Sequence, residues 1–151
     1  MSDCSLCKVP ILPILWSDHN FRIVLVTDQN IKGYLRLEAL EHVSEIYQLS
    51  ASIRQQMFSL LNIIEINLVN IFHPDKINIA SLGNMTPHVH WHIISRYKHD
   101  NYFPESIWST PIRNNLFENT QEEISNLKHQ LRSMIKQRDA EQAFDSEYGI
   151  Q

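Results

Sequence analysis

Pro87-His88-Val89-His90-Trp91-His92-Ile93-Ile94 decides how this chain reads. Three histidines alternate with Val89, Trp91 and Ile93, and strict alternation of this kind predicts a half-buried β-strand. Successive side chains on a strand point to opposite faces, and each residue advances about 3.3 Å. His88, His90 and His92 are therefore expected on one ridge, ~6.6 Å apart, with the apolar residues turned to a core. Three imidazoles on one ridge are poor packing material, because a buried polar group without a partner is costly. Two chemistries suit the ridge. Neutral imidazole is a common metal ligand, and it is also a nucleophile whose neighbours can stabilise developing charge.

Residues 76–82 upstream are β-branched and apolar enough for a strand, and Gly83-Asn84-Met85-Thr86-Pro87 turns it into the histidine strand. The two form a hairpin. Downstream, Ser95-Arg96-Tyr97 ends the strand, and residues 98–111 are irregular and aromatic, with Tyr102, Phe103 and Trp108. Residues 50–72 make the clearest helix. Ile53, Met57, Leu60, Leu61, Ile64, Leu68, Ile71 and Phe72 fall on one apolar face of core-packing type. Ser52 with Gln55 fits a capping box, Ser50 is the alternative cap, and Pro74 ends the helix.

Residues 21–26 and 33–37 read as two strands paired antiparallel through a short loop. Residues 11–16, interrupted by Pro13, read as an edge strand. Residues 41–49 allow a short helical turn. A second helix begins near Thr120, which makes a capping box with Glu123. Its narrow seam of Ile124, Leu127, Leu131 and Met134/Ile135 suits docking on the sheet or on another copy. Residues 140–151 are expected to fray.

The chain has 151 residues, enough for one domain with a sizeable core and no disulfide staple. Its net charge of −4, from 13 basic and 17 acidic residues, argues against a general nucleic-acid binder, although a local site for a small anion is compatible with it. No signal-peptide pattern and no apolar run long enough for a membrane span is visible, so a cytoplasmic protein is expected. The two cysteines, Cys4 and Cys7, are spaced C-x-x-C. In a reducing compartment that spacing reads as metal or redox chemistry.

A catalytic metal centre on the ridge meets a difficulty: binuclear hydrolases built on clustered histidines also need aspartate, and none lies between Lys76 and Lys98. The stretch His88-Val89-His90-Trp91-His92-Ile93-Ile94 instead resembles the H-φ-H-φ-H-φ-φ signature of the histidine-triad (HIT) family of nucleotide hydrolases and transferases. Gly33-Tyr34-Leu35 followed by His42 is similar to that family's Gly-His-x-Leu-Val-x-Pro-x-x-His segment. Cys4 and Cys7 resemble the amino-terminal pair of its zinc-bearing members, and residues 75–108 resemble a short bacterial branch. The likeness spans about residues 4–110.

The resemblance implies an α+β fold with a mainly antiparallel sheet of about five strands, one long helix and one or two shorter ones. It divides the chain into a HIT-like domain, 1–112, and a C-terminal helical extension, 113–151. It implies nucleotide hydrolysis or transfer at the α-phosphate through a nucleotidyl-histidine intermediate on His90. His92 would stabilise phosphate charge, Asn84 would hold the phosphate and Asp28 the ribose. Dinucleoside polyphosphates or nucleoside phosphoramidates, with a purine base, are the implied substrates. It further implies a homodimer and a structural zinc held by Cys4, Cys7, His42 and His88, with no organic cofactor. Two departures stand out: Tyr34 replaces the family's fourth histidine, and Ser95 replaces the proline after the triad. A tyrosine, with a reference pKa of about 10, cannot carry a proton at neutral pH as an imidazolium does. Tyr34 is thus the feature that favours the alternative, a nucleotide-binding regulatory module with little turnover.

Overall fold

The computed structural model describes residues 4–27 and 29–149. Five strands form one antiparallel sheet: β1 (Ile14–Ser17), β2 (Phe21–Leu25), β3 (Tyr34–Ala39), β4 (Lys76–Ala80) and β5 (His90–Arg96), in the order β1-β2-β3-β5-β4. Helix α1 (Ala51–Phe72) crosses from β3 to β4, and α2 (Gln121–Tyr148) follows the sheet.

Period-two alternation separates the sheet's faces. Phe21, Ile23 and Leu25 of β2, Leu35, Leu37 and Ala39 of β3, and Ile93 of β5 are fully buried against Met57, Leu60, Ile64 and Leu68 of α1. Leu127, Leu131 and Ile135 of α2 join the same cluster. Removing such a side chain, for example Leu37→Ala, costs about 2–5 kcal/mol. The other face carries Arg22, Tyr34, Arg36, Glu38, His90, His92, Ile94 and Arg96, and the register sets Glu38 opposite His90 and Arg36 opposite His92.

Several boundaries differ from the sequence reading for local reasons. Ser50, not Ser52, caps α1: its Oγ accepts from the Ile53 N–H at 3.3 Å. His73 ends that helix in the left-handed region, at φ 47°, just before Pro74. β1 begins after Pro13, which has no N–H for the ladder and whose carbonyl instead accepts from Leu25. Helix α2 does not fray at residue 140. It continues to Tyr148 because Ala140, Glu141, Gln142 and Ala143 are good helix formers, and Gly149 caps it at φ 66°. Its apolar seam meets α1 and the outer strand, where Arg132 Nε donates to the Leu15 carbonyl at 3.1 Å.

Two contacts position the functional face. Gly33 enters β3 at φ 66°, and a Cβ there would lie 2.6 Å from Ser95 Oγ, so β3 and β5 approach closely only because this residue is glycine. After β5, the chain wraps around Asp100. Its carboxylate accepts from Arg96 Nε at 2.7 Å and from the N–H groups of Tyr97, Tyr102 and Phe103. That wrap carries Trp108 back onto β5.

Candidate functional site

His88 does not lie in the strand with the other two histidines. The chain turns at Thr86, whose carbonyl accepts from the His88 N–H at 2.8 Å, and β5 begins only at His90. The ridge therefore divides into two sites that share a backbone.

The first site gathers Cys4, Cys7, His42 and His88, whose ligand atoms all lie within 4.8 Å of one another. His88 Nε2 donates to the Ala39 carbonyl at 2.7 Å. A neutral ring so tied has a bare lone pair on Nδ1, and that atom is 3.2 Å from His42 Nδ1, 3.4 Å from Cys4 Sγ and 3.7 Å from Cys7 Sγ. Cys7 Sγ is 3.2 Å from His42 Nδ1. Around one zinc ion, with bonds of about 2.0–2.1 Å to nitrogen and about 2.3 Å to sulfur, tetrahedral edges are about 3.4 Å between nitrogens and about 3.6 Å between nitrogen and sulfur. The donor set and its spacing fit that metal. Burial pushes the His88 pKa below its ordinary value, keeping the ring in the neutral form a metal needs.

The second site is His90 and His92, with ring centroids 4.9 Å apart. His90 Nδ1 is 2.6 Å from the His88 carbonyl oxygen, which can only accept. The proton of the neutral ring is therefore on Nδ1, and Nε2 keeps its lone pair. The backbone that carries His88 in the first site thus sets the tautomer of the second. His92 Nδ1 lies 2.6 Å from the Tyr34 hydroxyl, and the Trp108 ring meets the same imidazole edge-on at 5.2 Å. Burial, then the neighbouring charges of His90 and Arg36, push the His92 pKa down to about 4.

Two clefts open on either side of His90. One, of about 400 Å³, is lined by Leu82, the turn Gly83, Asn84, Met85 and Thr86, both histidines and Trp108. The other, of about 610 Å³, is lined by Ser5, Leu6, Lys8, Val9, Pro10, Ile11, Leu12, Arg22, Arg36, Thr86 and His90. Asn84 thus lines the same cleft as His90 and His92. Asp28 falls outside the described residues.

Arg22, Arg36 and Glu38 were not singled out by sequence reading. Glu38 is fully buried between Arg22, 2.5 Å away, and Arg36. Arg22 also donates through Nη2 to the Leu6 carbonyl at 2.7 Å, tying the amino-terminal turn to the sheet. The available signal was parity: Arg22, Arg36 and Glu38 fall on the face opposite to the apolar residues of their strands, and so on the face of His90.

A family model described as HIT domain matches residues 13–99. No curated protein matches the chain. Among solved structures, the chain is similar to a histidine triad protein from Bradyrhizobium japonicum, at 25% identity and TM-score 0.66, over 81% of this chain and 89% of that one. It is similar to a histidine triad protein from Marinobacter aquaeolei VT8, at 25% identity and TM-score 0.65, over 83% of this chain and 90% of that one. The fold also matches a Zn-bound histidine triad family protein from Mycobacterium smegmatis, at 17% identity and TM-score 0.61, over 89% of this chain and 96% of that one.

Proposed function

The chain belongs to the HIT family, and from that membership we propose that it is a nucleotide phosphohydrolase or nucleotidyl transferase that works through His90. One observation carries the reading: a carbonyl acceptor on His90 Nδ1 leaves Nε2 unprotonated on a ring that lines both clefts. Such a nitrogen attacks the α-phosphorus of a bound nucleotide, and water then hydrolyses the nucleotidyl-histidine. His92, held neutral and contacted by Tyr34 through Nδ1, presents its Nε2–H to a phosphate oxygen when the phenol donates. The Asn84 amide and the N–H groups of its turn hold the same phosphate from the other side of the cleft. Asp28 is the proposed ribose acceptor. Dinucleoside polyphosphates and nucleoside phosphoramidates with a purine base are the proposed substrates.

Cys4, Cys7, His42 and His88 are the residues that would hold a structural zinc. A zinc held by these two thiols and two imidazoles would tie the amino-terminal turn to the loop after β3 and to the entry to β5. These residues take no part in the reaction beyond fixing the His88 carbonyl that orients His90. Protein purified without added metal is expected to contain about one zinc per chain by elemental analysis. Its removal by a chelator is expected to lower the thermal midpoint by roughly 5 °C or more. A metal content far below one per chain would end this part of the proposal.

The family resemblance also brings a homodimer and a cytoplasmic location into the proposal, and light scattering of the purified chain tests the first. Among the described residues no helix is long and apolar enough to cross a membrane.

The decisive test of His90 is chemical. Substrate mixed with protein and quenched within seconds should leave a nucleotidyl adduct on the peptide containing His90, seen by mass spectrometry. His90→Asn should abolish the adduct and lower turnover by at least about 1,000-fold while still binding nucleoside monophosphate. A second reading, nucleotide binding with little turnover, is favoured by the pair Tyr34 and His92: neither is a cationic acid at neutral pH. Binding without any adduct would select it.

A further inference from the structure

In the family segment quoted above, the residue at position 36 is leucine, and here it is Arg36. Arg36 lies opposite His92 in the β3–β5 ladder and lines the 610 Å³ cleft together with His90. It binds Glu38 through Nε. Its two terminal nitrogens have no protein partner recorded among the described residues, and its side chain is 21% exposed. Arg22 is the contrast within the same cluster, since Nε is taken by Glu38, Nη2 by the Leu6 carbonyl, and the side chain is 8% exposed. Two guanidinium charges against one carboxylate leave the cluster net positive, and Lys8 adds a further cation to the cleft wall. Walls of low dielectric on the apolar side, from Leu6, Val9 and Ile11, strengthen that field.

We propose that Arg36 makes this cleft a subsite for an anionic leaving group, so that the protein selects substrates whose leaving group bears phosphate over those whose leaving group is an amine. The inference rests on His90 being the nucleophile. It answers the chemical gap at Tyr34. When His90 Nε2 bonds to the α-phosphorus, the bond from phosphorus to the leaving atom breaks and its electron pair goes to that atom. An amine must take up a proton to depart, and this pair offers no cationic acid: His92 is neutral, and the Tyr34 hydroxyl is held 2.6 Å from His92 Nδ1. A phosphate departs as an anion without one, because its second pKa is only about 6. Arg36 then pairs with the charge released, through the nitrogens that Glu38 does not use. Water attacks the phosphorus–Nε2 bond in the next step. The electron pair returns to Nε2, nucleoside monophosphate leaves, and the remaining proton goes to solvent. The charge of Arg36 already reaches this site, since it is one of the causes, after burial and His90, that hold His92 low.

The test compares kcat/KM for diadenosine triphosphate with that for an adenosine phosphoramidate of a simple amine. Arg36→Met is expected to lower the ratio of the first to the second by roughly 10- to 100-fold, the range for losing a hydrogen bond to a charged group. Arg36→Lys is expected to restore part of it. An unchanged ratio in Arg36→Met would overturn the proposal. Should that variant fail to fold by circular dichroism, the wild-type protein decides: added salt should depress anhydride turnover several-fold more than phosphoramidate turnover, and equal salt dependence would overturn the assignment. Absence of the His90 adduct with both substrates would instead remove the nucleophile itself, and so separates failure of the underlying reading from failure of this one.

Discussion

Arg96 and Arg36 occupy the same face of one sheet and are used in opposite ways. Arg96 is 2% exposed, and its donors meet Asp100 twice, Asn78 at 2.7 Å and the Glu105 carbonyl at 2.7 Å. Arg36 is bound once, through Nε, to a carboxylate it shares with Arg22. The first arginine is saturated by the protein and so builds structure: it pins the wrap after β5 that lays Trp108 on His92. The second, on the reading proposed above, keeps donors for a ligand. A buried charge with its bonds made to protein is scaffold, and Arg36, only partly buried and bonded once, lines the cleft beside His90.

Stability measurements break this contrast most directly. Arg96→Met should cost about 3–5 kcal/mol in urea denaturation, because Asp100 is left buried without its cation. Arg36→Met should cost only about 1 kcal/mol, since Glu38 retains Arg22 and the site is partly hydrated. Equal losses would mean that Arg36 is also scaffold.

Acid sharpens the same point with a smaller effect. Burial pushes the Asp100 carboxyl up, but Arg96 and the N–H groups of Tyr102, Tyr97 and Phe103 outweigh it and hold the group below the ordinary aspartate value. A depressed carboxyl contributes stability that is complete above the unfolded value, near 3.8, and is lost as pH falls through the lower folded value. Asp100→Asn should therefore cost about 2 kcal/mol at neutral pH. The gap to wild type should hold down to about pH 4 and narrow below it. A gap already closing at pH 6 would show that another group carries the effect.

Much of this was legible in the sequence because it depends on local periodicity. Alternation gave β5 its faces, the apolar stripe from Ile53 to Phe72 fixed α1, and Thr120 with Glu123 does form the expected capping box of α2. The four candidate metal ligands come from a C-x-x-C pair and a family spacing, and the fold brings them together. What stayed hidden depends on pairing between strands far apart in sequence. Arg22, Arg36 and Glu38 read locally as ordinary polar positions on strands, and only the β2–β3–β5 register puts them beside His90. His88 misled in the other direction. Its place in the alternation suggested a shared ridge, but the turn at Thr86 swings it out of the strand, and its ring is committed to Ala39 and the cysteines.

The smallest expected effect discriminates best between the two arginines. His92 titrates at about 4, well below the ordinary imidazole value, first through burial and then through the charges of His90 and Arg36. A histidine held low in the folded state contributes stability that is complete above its unfolded value of about 6.5 and is lost as pH falls toward the folded value. Arg36→Met removes one of the charges that disfavour the imidazolium. The His92 ring protons followed by NMR should then titrate above pH 4, while still falling short of the unfolded value because burial and His90 remain. Arg96→Lys, which keeps a cation against Asp100 and with it the wrap that lays Trp108 on His92, should leave that midpoint in place. If both substitutions move His92 alike, the shift reports the packing of this face and not the charge of Arg36, and selection of an anionic leaving group by one guanidinium loses its physical basis.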